Sequence, residues 1–133
     1  LPVDIVVADE LSEKAINKTV NIDEIREGWK GVDIGPASVD NFRQIILDSQ
    51  MIFWNGPMGV FEIEPFHRGT MEIARALGDA TEKGSITVVG GGDTDKAIHG
   101  TGVELTHIST GGGASLKFLT GEELPAITAL KGG

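Results

Sequence analysis

The residues with the clearest chemical potential lie in a glycine-rich stretch in the second half of the chain. Gly90–Gly92 follow the β-branched run Ile86–Val89 and precede Asp93 and Thr94. Glycine has no Cβ, so its backbone N–H group can approach a bound ligand closely. Asp93 has two open interpretations, because it could cap a helix over Asp95–His99 or could hold Mg²⁺ against phosphate oxygens. This stretch therefore predicts a strand, a ligand-binding turn and a helix.

Two further turns repeat this arrangement along the chain. Asn55–Gly59 follow the apolar run Met51–Trp54, and Gly111–Gly113 follow Thr106–Ser109. A single glycine-rich turn is weak evidence of function. However, the carboxyl ends of parallel strands share one edge of a sheet, and ligands bind at that edge. We therefore expect the three turns to gather there.

The charge of the chain limits how this edge could bind an anion. The chain has 11 Lys and Arg against 20 Asp and Glu, and its formal net charge is −9. A field of that sign repels phosphate, so backbone N–H groups and helix N-termini must supply the attraction. Helices that open at Asp93 and Gly113 would each favour an anion by roughly 0.3–1 kcal/mol. The pattern indicates a polyphosphate site. Glu62, three residues after Gly59, has two open interpretations, because it could be a surface carboxylate or an acceptor for ribose hydroxyls.

The remaining elements alternate between strands and helices. The predicted strands are Val3–Ala8, an edge strand or hairpin near Thr19–Ile22, Trp29–Ile34, Met51–Trp54, Ile86–Val89 and Thr106–Ser109. Four helices are predicted: the first is capped by Ser38 and ends near Ser49, the second runs from Phe66 or Thr70 to Ala80, and the others are Asp95–His99 and Ala114–Leu119. An apolar tail follows at Leu124–Leu130. Such alternation is typical of an α/β fold, and we expect a Rossmann-like parallel sheet with helices on both faces.

Composition and missing motifs exclude several other classes of protein. An acidic chain is a poor partner for nucleic acid or an anionic membrane, and no apolar run approaches the roughly 18 residues of a membrane span. The chain has no cysteine, and His67, His99 and His107 lack the spacing of metal ligands. It also lacks the G-x-S-x-G, P-loop and G-x-G-x-x-G motifs. We therefore expect a soluble, cytoplasmic protein that binds neither nucleic acid nor membrane.

Five motifs, in their order along the chain, resemble the phosphoglycerate kinase family. They are Leu1–Glu10, Asp33–Pro36 (DIGP), Trp54–Glu62 (WNGPMGVFE), Gly90–Thr94 (GGGDT) and His107–Ser115 (HISTGGGAS). The similarity covers essentially the whole chain and matches the C-terminal part of the family's nucleotide-binding domain. The resemblance implies that residues 1–133 are a C-terminal portion of that domain, a fragment without the N-terminal domain.

The family transfers a phosphoryl group between 1,3-bisphosphoglycerate and ADP, giving 3-phosphoglycerate and ATP in glycolysis. The resemblance implies that this chain supplies the half of the site that holds Mg²⁺ and ADP or ATP, in a full enzyme that is monomeric. The residues that it implies for nucleotide binding are Asn55, Pro57, Val60, Glu62, Asp93 and Thr94, with Asp93 as the Mg²⁺ ligand. The backbone groups that it implies for catalysis belong to Gly91, Gly92, Gly111, Gly112 and Gly113.

Departures from the family pattern keep a second hypothesis open. The basic patch of the N-terminal domain and the catalytic-site lysines of the first half of the nucleotide domain are missing, and Lys117 and Thr120 stand where acidic residues are expected. A non-catalytic nucleotide-binding module is the alternative function. A Rossmann dehydrogenase is disfavoured by the missing G-x-G-x-x-G motif. We expect this fragment alone to be inactive as a kinase.

Overall fold

The structure, a computed structural model, describes residues 1–99 and 101–120. These residues form two three-stranded sheets and the helices that connect and cover them. The strands are β1 (Asp4–Ala8), β2 (Asn17–Asn21), β3 (Lys30–Ile34), β4 (Met51–Asn55), β5 (Ile86–Gly90) and β6 (His107–Ser109). The helices are α1 (Pro36–Asp48), α2 (Arg68–Glu82), α3 (Gly92–Ile98) and α4 (Gly112–Leu119), with 3-10 turns at Ile22–Glu24 and Glu64–Phe66.

The parallel sheet comes from the second half of the chain, in the strand order β4-β5-β6. The β-branched strand β5 lies in the centre, where such residues pack well on a pleated surface. The register pairs Asn55 with Gly90 and Gly90 with Ser109, so the last residues of the three strands lie side by side. The expected α/β fold with a parallel sheet is confirmed.

The first half of the chain differs from the expectation of one parallel sheet. β1 pairs antiparallel with both of its neighbours, in a separate sheet of order β2-β1-β3. The hairpin expected near Thr19–Ile22 is present, because β2 runs back along β1. The apolar run of β1 predicted a buried strand with a neighbour on each side, and β2 and β3 are those neighbours. Ile5 and Val6 are nevertheless only half-buried, as an antiparallel sheet allows. The tail expected at Leu124–Leu130 lies outside the described residues.

α1 starts earlier than predicted and is capped from a distant strand. Its N-cap is Gly35 and its first residue is Pro36, a position that suits proline. Ser38 therefore lies inside the first turn, and the prediction that it caps the helix is wrong. The cap comes from Asp4 on β1, whose carboxylate accepts the N–H groups of Ala37 at 3.0 Å and Ser38 at 2.7 Å. The negative charge also suits the positive end of the helix dipole.

Two apolar clusters join the sheets to the helices. The larger cluster packs Ile73 and Leu77 of α2 against Trp54 of β4 and Val89 of β5. The smaller cluster lies between the antiparallel sheet and the chain after β4. Its buried members are Ala8, Val32 and Phe66, with Val60 and Ile63 partly buried beside them. In the described part of the chain, no helix combines the length and the apolar character needed to cross a lipid bilayer.

Candidate functional site

The three predicted turns meet at the carboxyl edge of the parallel sheet. Asn55, Gly90 and Ser109 lie side by side there through the strand register, and the N–H of Gly91 donates to the carbonyl of Ser109 at 2.8 Å. We call this edge the glycine rim, and its residues are Asn55, Gly56, Gly90–Gly92 and Ser109–Gly113. The structure therefore brings together the backbone groups on which a polyphosphate site would depend.

The glycine rim is tightly packed at one point and open at two others. Gly91 has a φ of +97°, which L side chains rarely adopt. A Cβ added to Gly112 would lie 2.5 Å from the backbone N of Gly91 and 2.6 Å from Oδ1 of Asn55. At Gly92 and Gly113, by contrast, nothing lies within 4 Å of such an atom. A ligand can therefore approach the backbone of the two open glycines.

α3 begins within the rim, and its start corrects one prediction. Its N-cap is Gly91, so the interpretation of Asp93 as the cap is wrong. Asp93 lies instead in the first turn, where its Oδ1 is 3.3 Å from Nζ of Lys96. The two side chains are 76% and 72% exposed, respectively, and pairs as exposed as this contribute only about 0–1 kcal/mol. The Asp93 carboxylate is therefore accessible to another cation.

Thr94 has a contact that the sequence did not indicate. Its side chain is buried, and its Oγ1 accepts the N–H of Gly56 at 2.7 Å. This hydrogen bond joins α3 to the turn that follows β4. Thr94 thereby fixes the distance between two parts of the glycine rim.

α4 begins at Gly112, two residues before the predicted Ala114. Its first turn is tied to β6, because the hydroxyl oxygens of Ser109 and Ser115 are 2.9 Å apart. The first N–H groups of a helix have no partner within that helix. The first turn of α4 therefore contributes the backbone donors of Gly112 and Gly113 to the rim.

One of the implied donors is already engaged. The N–H of Gly91, which the resemblance implies as a donor to phosphate, donates here to the carbonyl of Ser109 within the sheet edge. Gly91 contributes its left-handed backbone conformation instead. Gly92 begins α3 as Gly112 begins α4, so it has the unpartnered N–H group of a first helical residue.

Asp93 is the metal ligand that the resemblance implies. Among residues 1–99 and 101–120, no three His, Cys, Asp or Glu side chains lie close enough together to hold a metal ion by themselves. Protein-bound Mg²⁺ usually keeps several waters and is held by one or two carboxylates together with phosphate oxygens. One exposed carboxylate next to backbone donors for phosphate fits that requirement.

The chain from β4 to α2 leads away from the rim and is anchored at three points. The N–H groups of Met58 and Gly59 donate to Oγ1 of Thr70 in α2, at 3.0 and 3.3 Å. The N–H of Val60 donates to the carbonyl of Val32 in β3, at 2.8 Å. These hydrogen bonds fix the path of the chain between the two sheets.

Four of the predicted nucleotide-binding residues are distributed along this path. Asn55 belongs to the rim, and Pro57 follows it half-buried. Val60 packs with the smaller apolar cluster beside β3, and Glu62 is exposed in the turn that follows. The structure thus brings Asn55 to the glycines and carries Val60 and Glu62 towards the antiparallel sheet.

Asp33 is a buried polar residue whose contacts sequence reasoning missed. Its Oδ2 accepts the N–H of Gly69 at 2.7 Å, and its Oδ1 accepts the N–H of Ile34 at 2.9 Å. Burial raises the pKa of this carboxyl, although the two hydrogen bonds and the charge of His67 oppose the rise. The DIGP motif contains Asp33, but no local pattern connects it with a residue so far along the chain.

The pKa of Asp4, another buried strand carboxyl, shifts in the opposite direction. Burial alone would raise its pKa, but the hydroxyl of Ser38 and the N–H groups of Ser38 and Ala37 all donate to its carboxylate. These hydrogen bonds outweigh the burial, so the pKa of Asp4 is lowered. Each carboxylate lies on a strand and accepts N–H groups at the start of a helix. Asp4 accepts from α1, and Asp33 accepts from α2.

Comparison with known sequences gives consistent matches over most of the chain. A family model described as phosphoglycerate kinase matches residues 1–122. A curated phosphoglycerate kinase from Chloroherpeton thalassium is 53% identical over 132 residues, which cover 98% of this chain and 33% of that protein. A curated phosphoglycerate kinase from Rubrobacter xylanophilus is 54% identical over the same shares of the two chains. The chain therefore spans about a third of the length of these relatives.

Solved structures give a matching result. A phosphoglycerate kinase from Coxiella burnetii aligns with a TM-score of 0.86 at 42% identity, covering 96% of this chain and 33% of that one. A phosphoglycerate kinase from Pyrococcus horikoshii aligns with a TM-score of 0.82 at 37% identity, covering 98% of this chain and 32% of that one. The α/β arrangement with its two kinds of sheet therefore recurs within larger proteins.

Proposed function

Because the chain belongs to the phosphoglycerate kinase family, as its motifs predicted, we propose that it is the C-terminal portion of the nucleotide-binding domain of such an enzyme. The relatives are about three times as long, so an N-terminal domain beyond residues 1–133 would hold the acid substrate. The proposed function is phosphoryl transfer between 1,3-bisphosphoglycerate and ADP in glycolysis, giving 3-phosphoglycerate and ATP. This chain would hold ADP or ATP with Mg²⁺.

The observation that carries this proposal is the convergence of backbone donors at the glycine rim. α3 and α4 both begin there, at Gly92 and Gly112, and each helix start favours negative charge. The open space at Gly92 and Gly113 leaves room for phosphate oxygens next to the main chain. A chain with a net charge of −9 can bind a polyphosphate only where such local attraction exceeds its overall field.

The proposed reaction needs positioning more than covalent chemistry from the protein. An oxygen of the terminal phosphate of ADP attacks the phosphorus of the acyl phosphate, the phosphorus–oxygen bond to the acyl group breaks, and the carboxylate of 3-phosphoglycerate leaves. Negative charge is spread over the oxygens of the group in transfer. We assign the N–H groups of Gly92, Gly111, Gly112 and Gly113 to those oxygens, where donors fixed in advance lower the barrier.

The nucleotide would occupy the rest of the rim and the path towards β3. Asp93 would hold Mg²⁺, which when bound neutralises charge on the nucleotide phosphates, and Asn55 would contact the nucleotide at the rim. The partly buried Val60 and the half-buried Pro57 would line the nucleoside pocket. The exposed Glu62 would accept hydrogen bonds from ribose hydroxyls.

The metal assignment is tested by measuring ADP binding with and without Mg²⁺ in the full-length protein that contains this sequence. We expect Asp93→Asn to remove the part of the ADP affinity that depends on Mg²⁺ and to leave binding without Mg²⁺ nearly unchanged. Asp95→Asn is the matched control, because it makes the same charge change in the same first turn of α3. Calorimetric titration of ADP gives both affinities directly.

Two results would contradict the proposal. If Asp93→Asn bound ADP with Mg²⁺ as the unaltered protein does, Asp93 would not be the ligand. If the unaltered full-length protein bound nucleotide but formed no ATP from 1,3-bisphosphoglycerate and ADP, a non-catalytic nucleotide-binding module would replace the kinase.

We further propose that the full enzyme is monomeric and cytoplasmic, and that it binds neither nucleic acid nor membrane. The acidic composition of this chain supports the absence of nucleic-acid and membrane partners, because an acidic surface repels phosphate backbones and anionic lipids. Sedimentation of the full-length protein would measure its mass in solution, and a dimer would contradict the first part of this proposal.

A further inference from the structure

Asp33 of β3 lies outside the glycine rim, yet it lies against both the start of α2 and the chain after β4. A Cβ added to Gly59 would lie 2.5 Å from Oδ1 of Asp33, and one added to Gly69 would approach the same atom even more closely. Only glycine leaves room for the carboxylate at these two positions. Asp33 is almost fully buried, at 3% exposure, so the contact is shielded from water.

The same carboxylate holds the start of α2. The N-cap residue His67 makes no side-chain hydrogen bond to the helix, whereas Asp33 accepts the N–H of Gly69 at 2.7 Å. Gly69 precedes Thr70, whose hydroxyl accepts the N–H groups of Met58 and Gly59. A shift of the Asp33 carboxylate would therefore move the helix start and the chain that the helix start anchors.

We propose that Asp33 is a positioning residue for the segment Asn55–Glu62, and therefore for nucleotide binding. This inference rests on the proposed function, because that segment is the one assigned to the nucleoside. Asp33 acts through Gly59 and Thr70 and touches no reactant. The reason for a buried carboxylate here is geometric: an acceptor between β3 and α2 sets where the segment crosses from one sheet to the other.

The test uses Asp33→Asn and Asp33→Ala in the full-length protein, with Asp4→Asn as the matched control. Asp4 also accepts N–H groups at a helix start from a buried strand position, but it serves α1, which does not anchor the segment. A misplacement of about 1 Å in a site can reduce activity about a hundredfold. We therefore expect Asp33→Ala to raise the KM for ADP at least about tenfold, while the KM for 1,3-bisphosphoglycerate changes less than about twofold.

Hydrogen exchange provides a readout that does not depend on activity. The amides of Met58, Gly59 and Val60 are bonded to Thr70 and Val32, so they should exchange slowly in the unaltered protein. We expect Asp33→Asn to accelerate their exchange at least about fivefold and Asp4→Asn to leave it unchanged. Asp33→Asn keeps the size of the side chain and one acceptor oxygen, so it carries the test if Asp33→Ala does not fold.

The outcomes separate this inference from the proposed function. If Asp33→Asn left both the KM for ADP and the amide exchange of the segment unaltered, only the positioning role would be overturned. The same would follow if Asp4→Asn raised the KM for ADP as much as the Asp33 variants did. A full-length protein that bound no ADP would overturn the proposed function and this inference together. A rise in the KM for ADP confined to the Asp33 variants, with faster amide exchange in the segment, would support the positioning role of Asp33.

Discussion

The close contact between Gly112 and Gly91 makes the substitution Gly112→Ala the most informative perturbation of the glycine rim. The added methyl group would lie 2.5 Å from N and 2.7 Å from Cα of Gly91, and 2.6 Å from Oδ1 of Asn55. Ordinary contacts begin near 3.4 Å, so the backbone after β5 must move by several tenths of an ångström. Overpacking of this kind destabilises a protein by about 1–3 kcal/mol.

The matched control is Gly113→Ala, one residue further along α4. Its methyl group would meet nothing within 4 Å, and alanine in a helix is favoured over glycine by about 0.5–1 kcal/mol. We therefore expect the free energies of unfolding of the two variants to differ by about 2 kcal/mol, with Gly112→Ala the less stable. Urea unfolding followed by tryptophan fluorescence, to which the buried Trp54 next to Asn55 contributes, measures the difference.

A small difference between the free energies of unfolding of the two variants would refute the close packing of Gly112 against Gly91. If Gly112→Ala unfolded at the same urea concentration as Gly113→Ala, the rim would not hold α4 against the turn after β5. We also expect Gly112→Ala to bind ADP more weakly in the full-length protein, because the backbone donors at both helix starts would shift. Unchanged binding together with lowered stability would limit the role of Gly112 to packing.

Two further predictions concern hydrogen bonds that fix the fold around the rim. Thr94→Val should destabilise the protein by about 1–3 kcal/mol, because the N–H of Gly56 loses its acceptor. Thr94→Ser keeps the hydroxyl, so its stability in urea unfolding should stay near that of the unaltered protein. Equal losses of stability in both variants would point to packing instead. The pKa of Asp4 is lowered from 3.8, so its contribution to stability is present above that pH and is lost as the pH falls through the folded value. Asp4→Asn should therefore lower stability at neutral pH and flatten the loss of stability in acid, and an unchanged acid profile would contradict this.

The parallel sheet and its rim could be predicted because their signals are local. A run such as Ile86–Val89 indicates a buried strand, and the glycines that follow mark its end. Once three such runs are parallel, the register alone brings Asn55, Gly90 and Ser109 together. The fold class and the meeting of the turns therefore follow from short stretches of sequence.

Most of the errors arose where the deciding partner is distant in sequence, whereas the start of α3 depends on the local backbone of Gly91. Asp93 and Ser38 are good capping residues by composition, but Gly91 and Gly35 precede the helices and the caps depend on backbone geometry and on Asp4. β1 has a composition that suits either kind of sheet, and only its pairing with β2 and β3 decides between them. The contacts of Asp33 were missed for the same reason.

The capping of α1 and α2 by strand carboxylates has a consequence for the order of folding. A peptide that contained only Pro36–Asp48 or Arg68–Glu82 would lack the acceptor for its first turn, so we expect such peptides to fray at their N-terminal ends. Each helix would complete its first turn only after β1 or β3 had taken its place beside it. Assembly of the antiparallel sheet should thus come before full ordering of the two long helices, and nucleation should depend on contacts between distant parts of the chain.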